Sequence, residues 1–218
     1  MTTPDKTWLV WQLADSAFPA GGFAHSGGLE ASFQLGLVER FEAYLDPSLW
    51  QVGHVALPFV RAAARRPNRL GELDALADAT LTNHIANRAS RAQGRAFWST
   101  ARRVFDAEAL RQLGARASAT MHVAPIFGAA LAALGMNEDD AVSLYMHTSI
   151  RTVLSAAVRL GIVGPLEAQR LQSSRGPLLG RIVASCAAIA PDEIAQTFPL
   201  SDACAALHDG LYARLFQS

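Results

Sequence analysis

Cysteine and lysine are scarce in this chain of 218 residues. The composition argues against a disulfide-rich secreted protein and against a nucleic-acid-binding protein. The two cysteines, Cys186 and Cys204, cannot build the disulfide framework of a small secreted scaffold, so we expect both as reduced core residues. Lysine occurs once, at Lys6, and the 19 basic residues are balanced by 19 acidic ones. Because a nucleic-acid-binding domain is normally clearly basic, this balance argues against a nucleic-acid partner.

Long apolar runs are also lacking. The longest one, residues 182–190, is interrupted by Ser185 and is far too short to span a bilayer. The first residues do not have the charged-then-apolar layout of a signal peptide. We therefore expect a cytoplasmic protein without membrane contact.

Alanine and helical periodicity are abundant, whereas the alternation typical of strands is absent. The pattern predicts an all-α fold, a helical bundle of about ten helices that forms a single domain over residues 1–218. The helices predicted after the first third of the chain span residues 70–81, 83–105, 107–113, 123–134, 165–173, 177–190, 192–197 and 201–211.

The boundaries of two further helices follow from capping residues and prolines. Asp46–Pro47 predicts the start of a helix that runs towards Pro67 and bends near Pro58. Asn137, with Asp140 three residues later, predicts the start of a long helix that ends at Gly161.

The stretch "FPAGGFAHSGGLE", Phe18 to Glu30, combines four glycines and a proline with large apolar residues. His25 and Ser26 could form a hydrolytic pair, which would make the chain a small serine hydrolase. A hydrolase nucleophile turn, however, has Gly-x-Ser-x-Gly after a buried strand, and here the first glycine is missing and a helical pattern precedes it. We favour Ser26 as a helix N-cap, with the glycines forming a turn between two helices.

Motifs for metal and nucleotide binding are not found. No two of the six histidines lie three or four residues apart, and no Cys-x-x-Cys motif occurs. The Gly-rich loops that bind phosphates or dinucleotides are missing as well. The sequence therefore predicts neither a metal site nor a cofactor in this chain.

The predicted helix over residues 83–105 has two contrasting faces. At about 100° per residue, four arginines fall within a narrow sector, and four apolar residues fall roughly opposite. The arginines are either a solvated surface above the core or a docking face for an acidic patch on another protein. The two faces consist of Arg88, Arg91, Arg95 and Arg102, and of Phe97, Ala101, Val104 and Phe105.

The tail, residues 210–218, is unusually apolar for a chain terminus. Ordering six residues costs roughly 6–12 kcal/mol, whereas burying three large side chains returns roughly 5–9 kcal/mol. We therefore hypothesise that Tyr212, Arg214, Leu215 and Phe216 become ordered when a partner binds. The alternative is a tail that covers the chain's own core.

Five stretches resemble, in the family's order and over nearly the whole chain, the urease accessory protein F family (UreF). The opening stretch and the Arg-Leu-Phe ending are the specific ones. The five are "LVWQLADSAFPAGGFAHSGGLEA", "NRASRAQGRAF", "HVAPIFGAAL", "SAAVRLGIVGPLEAQRL" and "YARLFQS".

The resemblance implies a non-enzymatic all-α scaffold that acts in the cytoplasm during urease maturation. Family members are dimers that bind the accessory protein D or H, recruit the GTPase accessory protein G and present nickel to apo-urease. Nickel is then cargo of the complex, GTP belongs to the partner, and the chain influences the GTPase step. A helical adaptor of another pathway is the alternative that the residues leave open.

The chain departs from the family pattern at two places, which are the inserted stretch 161–165 and Gln217, where the family usually has a penultimate arginine.

Carried over position by position, the resemblance assigns two groups of residues, a structural motif and a set of partner-binding residues. The structural motif falls on Pro19, Gly21, Gly22, Phe23, Ser26, Gly28, Arg159 and Gln169. The expected partner-binding residues are Tyr212, Arg214, Leu215, Phe216, Arg88, Arg95 and Glu30.

Overall fold

Helix is the only regular secondary structure in the residues that the computed structural model describes, which are 6–114 and 120–218. This confirms the all-α prediction, with twelve α-helices in the described ranges instead of about ten. Short 3-10 helices lie at Gly22–Ala24, Pro67–Arg69 and His208–Gly210. The helices are α1 Lys6–Ala14, α2 Leu29–Gln34, α3 Phe41–Val55, α4 Leu57–Arg65, α5 Leu70–Thr80, α6 His84–Val104, α7 Glu108–Gly114, α8 Val123–Ala133, α9 Glu138–Arg159, α10 Pro165–Ser174, α11 Gly176–Ser185 and α12 Pro199–Ala206.

Helix α8 lies at the centre of the fold. Its sequence, "VAPIFGAALAA", has no charged residue, and residues 124–131 are all buried. Helices α4, α6 and α9 pack around it. The approach to α4 requires Gly128, because a Cβ there would lie 2.1 Å from the carbonyl oxygen of Val60.

The two longest helices begin at asparagine caps. The Asn83 side chain accepts the main-chain N–H of Ile85 at 3.0 Å and so caps α6. The Asn137 side chain accepts the N–H of Asp140 at 2.8 Å, which confirms the predicted start of α9. These two helices bring their ends to the candidate site described below.

The predicted helix start at Asp46–Pro47 is wrong. Helix α3 begins at Phe41 and contains Pro47, because burial of its apolar residues outweighs the local start signal. The Asp46 carboxylate instead accepts a hydrogen bond from Arg175 at 2.9 Å. The bend predicted near Pro58 is a break between α3 and α4. The buried residues of α3 are Phe41, Tyr44, Leu45, Leu49 and Gly53.

The helices predicted for the last forty residues need correction. Residues 192–197 are not helical, because the Gln51 side chain accepts the main-chain N–H groups of Thr197 and Phe198 at 2.6 and 2.9 Å. Helix α11 ends at Ser185 and not at residue 190, and α12 covers Pro199–Ala206 and not 201–211.

Two expectations from composition can be compared with the structure. Cys186 and Cys204 are both buried and free, as predicted. None of the helices in the described ranges combines the length and the hydropathy that a bilayer crossing demands.

Candidate partner-binding site

The tail lies against the glycine-rich segment, which we define as Phe18–Glu30. The main-chain N–H of Ser26 donates to the main-chain oxygen of Ser218 at 2.7 Å, and that of Gln217 donates to Ala24 at 2.8 Å. The Ser26 hydroxyl also donates to the Ser218 main-chain oxygen, at 2.9 Å. These bonds join the two segments that carried the resemblance most specifically.

The Glu30 carboxylate is the centre of this contact. It lies in the first turn of α2 and is 1% exposed. Its oxygens accept the N–H groups of Leu215 at 2.6 Å and Phe216 at 3.2 Å, and Nε2 of His208 at 3.0 Å. Each hydrogen bond to a charged group contributes about 1.5–3 kcal/mol. In this chain Glu30 binds the tail, and its contact with a partner stays a prediction.

Arg159, at the C-terminal end of α9, contacts both the glycine-rich segment and the tail. Its guanidinium carbon lies 4.0 Å from the ring centre of Phe23 and 4.1 Å from that of Phe216. Its Nη1 donates to the carbonyl oxygen of Phe23 at 2.6 Å. A planar cation between two aromatic faces is attracted to both rings, so Arg159 joins the glycine-rich segment to the tail.

The side chains of the tail face in two directions. Phe216 is buried in the chain's own core, which matches the alternative of a tail that covers the core. Tyr212 is fully exposed and Leu215 is 51% exposed. The tail is thus fixed by its main chain and Phe216, while two large side chains remain at the surface.

The glycine-rich segment forms the predicted turn between α1 and α2. Gly21 has φ +78°, and a Cβ there would lie 2.9 Å from the Cβ of Ala96 on α6. The Thr100 hydroxyl donates to the Pro19 carbonyl at 2.9 Å. A left-handed backbone and close packing against α6 therefore both favour glycine at position 21.

Ser26 is not the residue that flanks α2. That position is Gly28, at φ 88°, and no side chain caps it. The Ser26 hydroxyl still accepts the main-chain N–H of Glu30 at 3.3 Å, so it satisfies one amide of the first turn. Its main contact is with the tail and not with the helix.

His25 and Ser26 do not form a nucleophile–base pair. Ser26 is fully buried and its hydroxyl donates to Ser218, whereas Nδ1 of His25 is hydrogen-bonded to the Ser218 hydroxyl at 2.7 Å. Burial lowers the pKa of His25, and the nearby charges of His208 and Arg88 lower it further. The arrangement connects polar groups without presenting a reactive one.

The arginine face of α6 begins with an occupied residue. Both Nη atoms of Arg88 donate to the carboxylate of Asp209, at 2.9 and 2.7 Å. This hydrogen bond lowers the pKa of Asp209. Opposite the arginines, the apolar face is confirmed at three positions, but Val104, the last residue of α6, is 47% exposed. The buried ones are Phe97, Ala101 and Phe105.

Potential metal ligands do not converge in the part of the chain that is described. Within residues 6–114 and 120–218, no three side chains of His, Cys, Asp or Glu lie close enough to hold a metal ion. The polar groups of the site are used in fastening one segment to another. Such an arrangement can present a surface to another protein.

Known proteins match the chain along almost its whole length. Residues 38–175 match the family model described as UreF. A protein of Arabidopsis thaliana named urease accessory protein F is 37% identical over 222 aligned residues, which cover 97% of this chain and 92% of the relative. The chain belongs to the urease accessory protein F family. A second relative of that name, from Oryza sativa subsp. indica, is 38% identical and covers 96% of this chain and 84% of its own. Both relatives are named as accessory proteins and not as enzymes.

The structure gathers most of the UreF motif residues into one site. The glycine-rich segment, Arg159 and the tail are in contact, although they are far apart in sequence. Gln169 is exposed on α10 and has no described contact with this site. Arg95 lies on the exposed face of α6.

Two residues of this UreF-family site escaped the sequence analysis. Asp209 lies 121 positions from Arg88, and no spacing in the sequence indicates their contact. The Tyr44 hydroxyl donates to the carbonyl of Gly27 at 3.1 Å and is hydrogen-bonded to Ser201 of α12 at 3.0 Å. Burial raises the pKa of Tyr44 to about 12, so this anchor stays neutral. The apolar periodicity of a helix shows that Tyr44 is buried but not which groups its hydroxyl contacts.

Proposed function

We propose that the chain is a scaffold of urease maturation. Its membership of the urease accessory protein F family supports this role, since a relative of that name aligns with 97% of this chain. The scaffold holds an accessory protein of the D or H type, recruits the G-type GTPase and acts on apo-urease. It works as a homodimer in the cytoplasm and couples GTP hydrolysis on its partner to nickel delivery.

The exposed side of the tail carries this proposal. Tyr212, Leu215 and Phe23 are large apolar residues at the surface, and Arg159 and Arg214 lie among them. Exposed aromatic residues beside arginines are the composition of energetically dominant positions in protein interfaces. Because Glu30 holds the tail main chain, these side chains are positioned before any partner binds.

Nickel content of urease tests the role as a whole. We expect apo-urease matured with its accessory proteins and this chain to take up nickel, and urease matured without the chain to remain largely unloaded. Equal nickel loading in both reactions would overturn the maturation role. Nickel measured by elemental analysis is independent of any activity assay.

Co-purification tests the tail. Tyr212→Ala with Leu215→Ala truncates a fully exposed and a half-exposed side chain, so we expect the fold to be retained. We expect this double variant to lose about tenfold or more in affinity for the D- or H-type protein or the GTPase. The matched control is Leu166→Ala, which truncates a leucine that is 76% exposed on α10. Unchanged binding by the double variant would remove the tail from the interface.

The serine hydrolase alternative has no support from the geometry. Ser26 is fully buried and its hydroxyl is directed to Ser218 and not to His25. We expect neither the parent chain nor Ser26→Ala to show esterase activity. An esterase activity that this substitution abolished would revive the alternative.

A further inference from the structure

Helix α6 concentrates positive charge in a chain that has none overall. From His84 to Val104 it has five arginines and a histidine but no aspartate or glutamate, whereas the formal net charge of the chain is +0. At about 100° per residue, most of these groups fall in one exposed sector of about 60°. We call this sector the arginine stripe. It consists of His84, Arg88, Arg91, Arg95 and Arg102.

The chain itself indicates which ligand this stripe accepts. Arg88 holds the carboxylate of Asp209 by two hydrogen bonds, at 2.9 and 2.7 Å. This two-point geometry is the one in which a guanidinium recognises a carboxylate best. One arginine of the stripe is therefore already occupied by a protein carboxylate.

The next arginines repeat this chemistry without an internal ligand. No direct ion pair joins Arg91 or Arg95 to a carboxylate of the described residues, although Arg91 is near enough to Asp78 to contribute to lowering the pKa of that carboxyl. The two arginines are one helical turn apart, about 6 Å along the axis. Two carboxylates four residues apart on another helix have the same separation.

A groove beside these arginines has room for such a segment. It has a volume of about 510 Å³. Leu81, Thr82 and His84 line it together with Asn87 and the first three arginines of the stripe. The charged side chains that line the groove are thus all arginines.

We propose that Arg91 and Arg95 bind two carboxylates of an acidic helix on a protein partner of the urease-maturation complex. This inference rests on the proposed function and specifies the chemistry of one of its interfaces. A protein ligand is favoured over a nucleic acid because Arg88 already holds a protein carboxylate and the formal net charge of the chain is +0, whereas a nucleic-acid-binding domain is normally clearly basic. The partner's carboxylates then extend the row that Asp209 begins at Arg88.

Charge reversal tests the inference with the full chain. The double variant Arg91→Glu/Arg95→Glu is compared with Arg181→Glu, which reverses an exposed arginine on α11. Binding to the purified D- or H-type protein and to the purified GTPase is measured by titration calorimetry at low and high salt. We expect the double variant to bind one of these partners about 30-fold more weakly, and the control to bind both as the parent chain does. Arg91→Lys/Arg95→Lys keeps the charge but loses the fork geometry, so a smaller loss is expected.

The outcomes separate this inference from the proposed function. If the parent chain binds its partners and the charge-reversed variant binds equally well, the stripe is not an interface and the proposed function stands. If the parent chain binds neither partner and urease acquires nickel without it, the proposed function fails. A labelled single-stranded oligonucleotide is titrated in parallel. If the parent chain and the control bind it, the double variant does not, and partner binding is unchanged, the stripe binds phosphates and the inference is overturned.

Photo-crosslinking identifies the ligand on the partner. A photoreactive amino acid at Thr82, in the groove, is cross-linked within the assembled complex, and the linked peptide is sequenced by mass spectrometry. We expect a segment with acidic residues three or four apart. A linked segment without acidic residues would contradict the assignment. Unchanged thermal melting of each variant shows that the fold is retained.

Discussion

The Glu30 carboxylate accepts the main-chain N–H of Leu215 at 2.6 Å, across 185 positions of sequence. The donor belongs to the main chain, so the bond does not depend on which side chain stands at position 215. Leu215 and Tyr212 are consequently free to face outward. The contact that holds the tail is thus separated from the surface that the tail presents.

Replacing Glu30 by glutamine tests this anchor. The amide keeps one oxygen acceptor but places an NH₂ group against main-chain donors, so at least one buried N–H loses its partner. We expect Glu30→Gln to lower the free energy of unfolding by about 1–3 kcal/mol. Amide exchange at residues 215 and 216 should become faster. Glu39→Gln, at an exposed site, is the matched control, and similar losses in both variants would show that Glu30 does not anchor the tail.

Arg159→Ala removes the guanidinium between the rings of Phe23 and Phe216. Two cation–π contacts and the hydrogen bond to the Phe23 carbonyl are lost, and we expect a destabilisation of about 2 kcal/mol in urea unfolding. Arg159→Lys keeps the positive charge without the planar group, so it should lie between the parent and the alanine variant. A lysine variant as unstable as the alanine variant would mean that the planar geometry, and not the charge, supplies the stability.

The sequence predicts the helices and turns of this fold better than the tertiary contacts between them. The Asn137 cap, the glycine turn and the buried face around Phe97 follow from local rules, and the structure confirms them. The pair of Arg88 with Asp209 and that of Glu30 with the tail depend on how twelve helices pack. Helical periodicity tells which face is buried but not which element covers it.

The failures have physical causes of the same kind. The start signal at Pro47 was outweighed by the burial of the turn before it. Residues 192–197 do not form the predicted helix because the Gln51 side chain accepts the main-chain N–H groups of Thr197 and Phe198. In both places a tertiary contact supplied more stabilisation than the local preference did.

Gly21→Ala tests whether the glycine-rich segment is a fixed turn. Gly21 and Gly27 both have positive φ, so an alanine at either position costs about 1 kcal/mol of backbone strain. A Cβ at position 21 also meets Ala96 at 2.9 Å, whereas nothing lies within 4 Å of one at position 27. We expect Gly21→Ala to destabilise the chain by about 1–3 kcal/mol more than Gly27→Ala. Equal melting temperatures of the two variants would contradict close packing against α6.

His25 makes the stability of the contact depend on pH. Burial lowers the pKa of His25 in the folded chain, and His208 and Arg88 lower it further, whereas the unfolded chain has the ordinary value of 6.5. Below pH 6.5 the unfolded state therefore binds a proton that the folded state does not bind. The contribution of His25 to the free energy of unfolding is fully present above pH 6.5 and is lost as the pH falls below it. His147 has the same sign, since burial and then Arg151 lower its pKa.

The free energy of unfolding measured at about pH 7.5 and about pH 5.5 separates the two histidines. We expect the parent chain to be less stable at the lower pH. His25→Asn should show a smaller loss, since asparagine cannot take up the proton, and His147→Asn should remove only its own share. The carboxylates with lowered pKa values, such as Asp209, titrate below this window because the ordinary value is 3.8. If the parent and His25→Asn lost the same stability, His25 would be protonated within the fold, and its hydrogen bond to Ser218 would have to tolerate the charge.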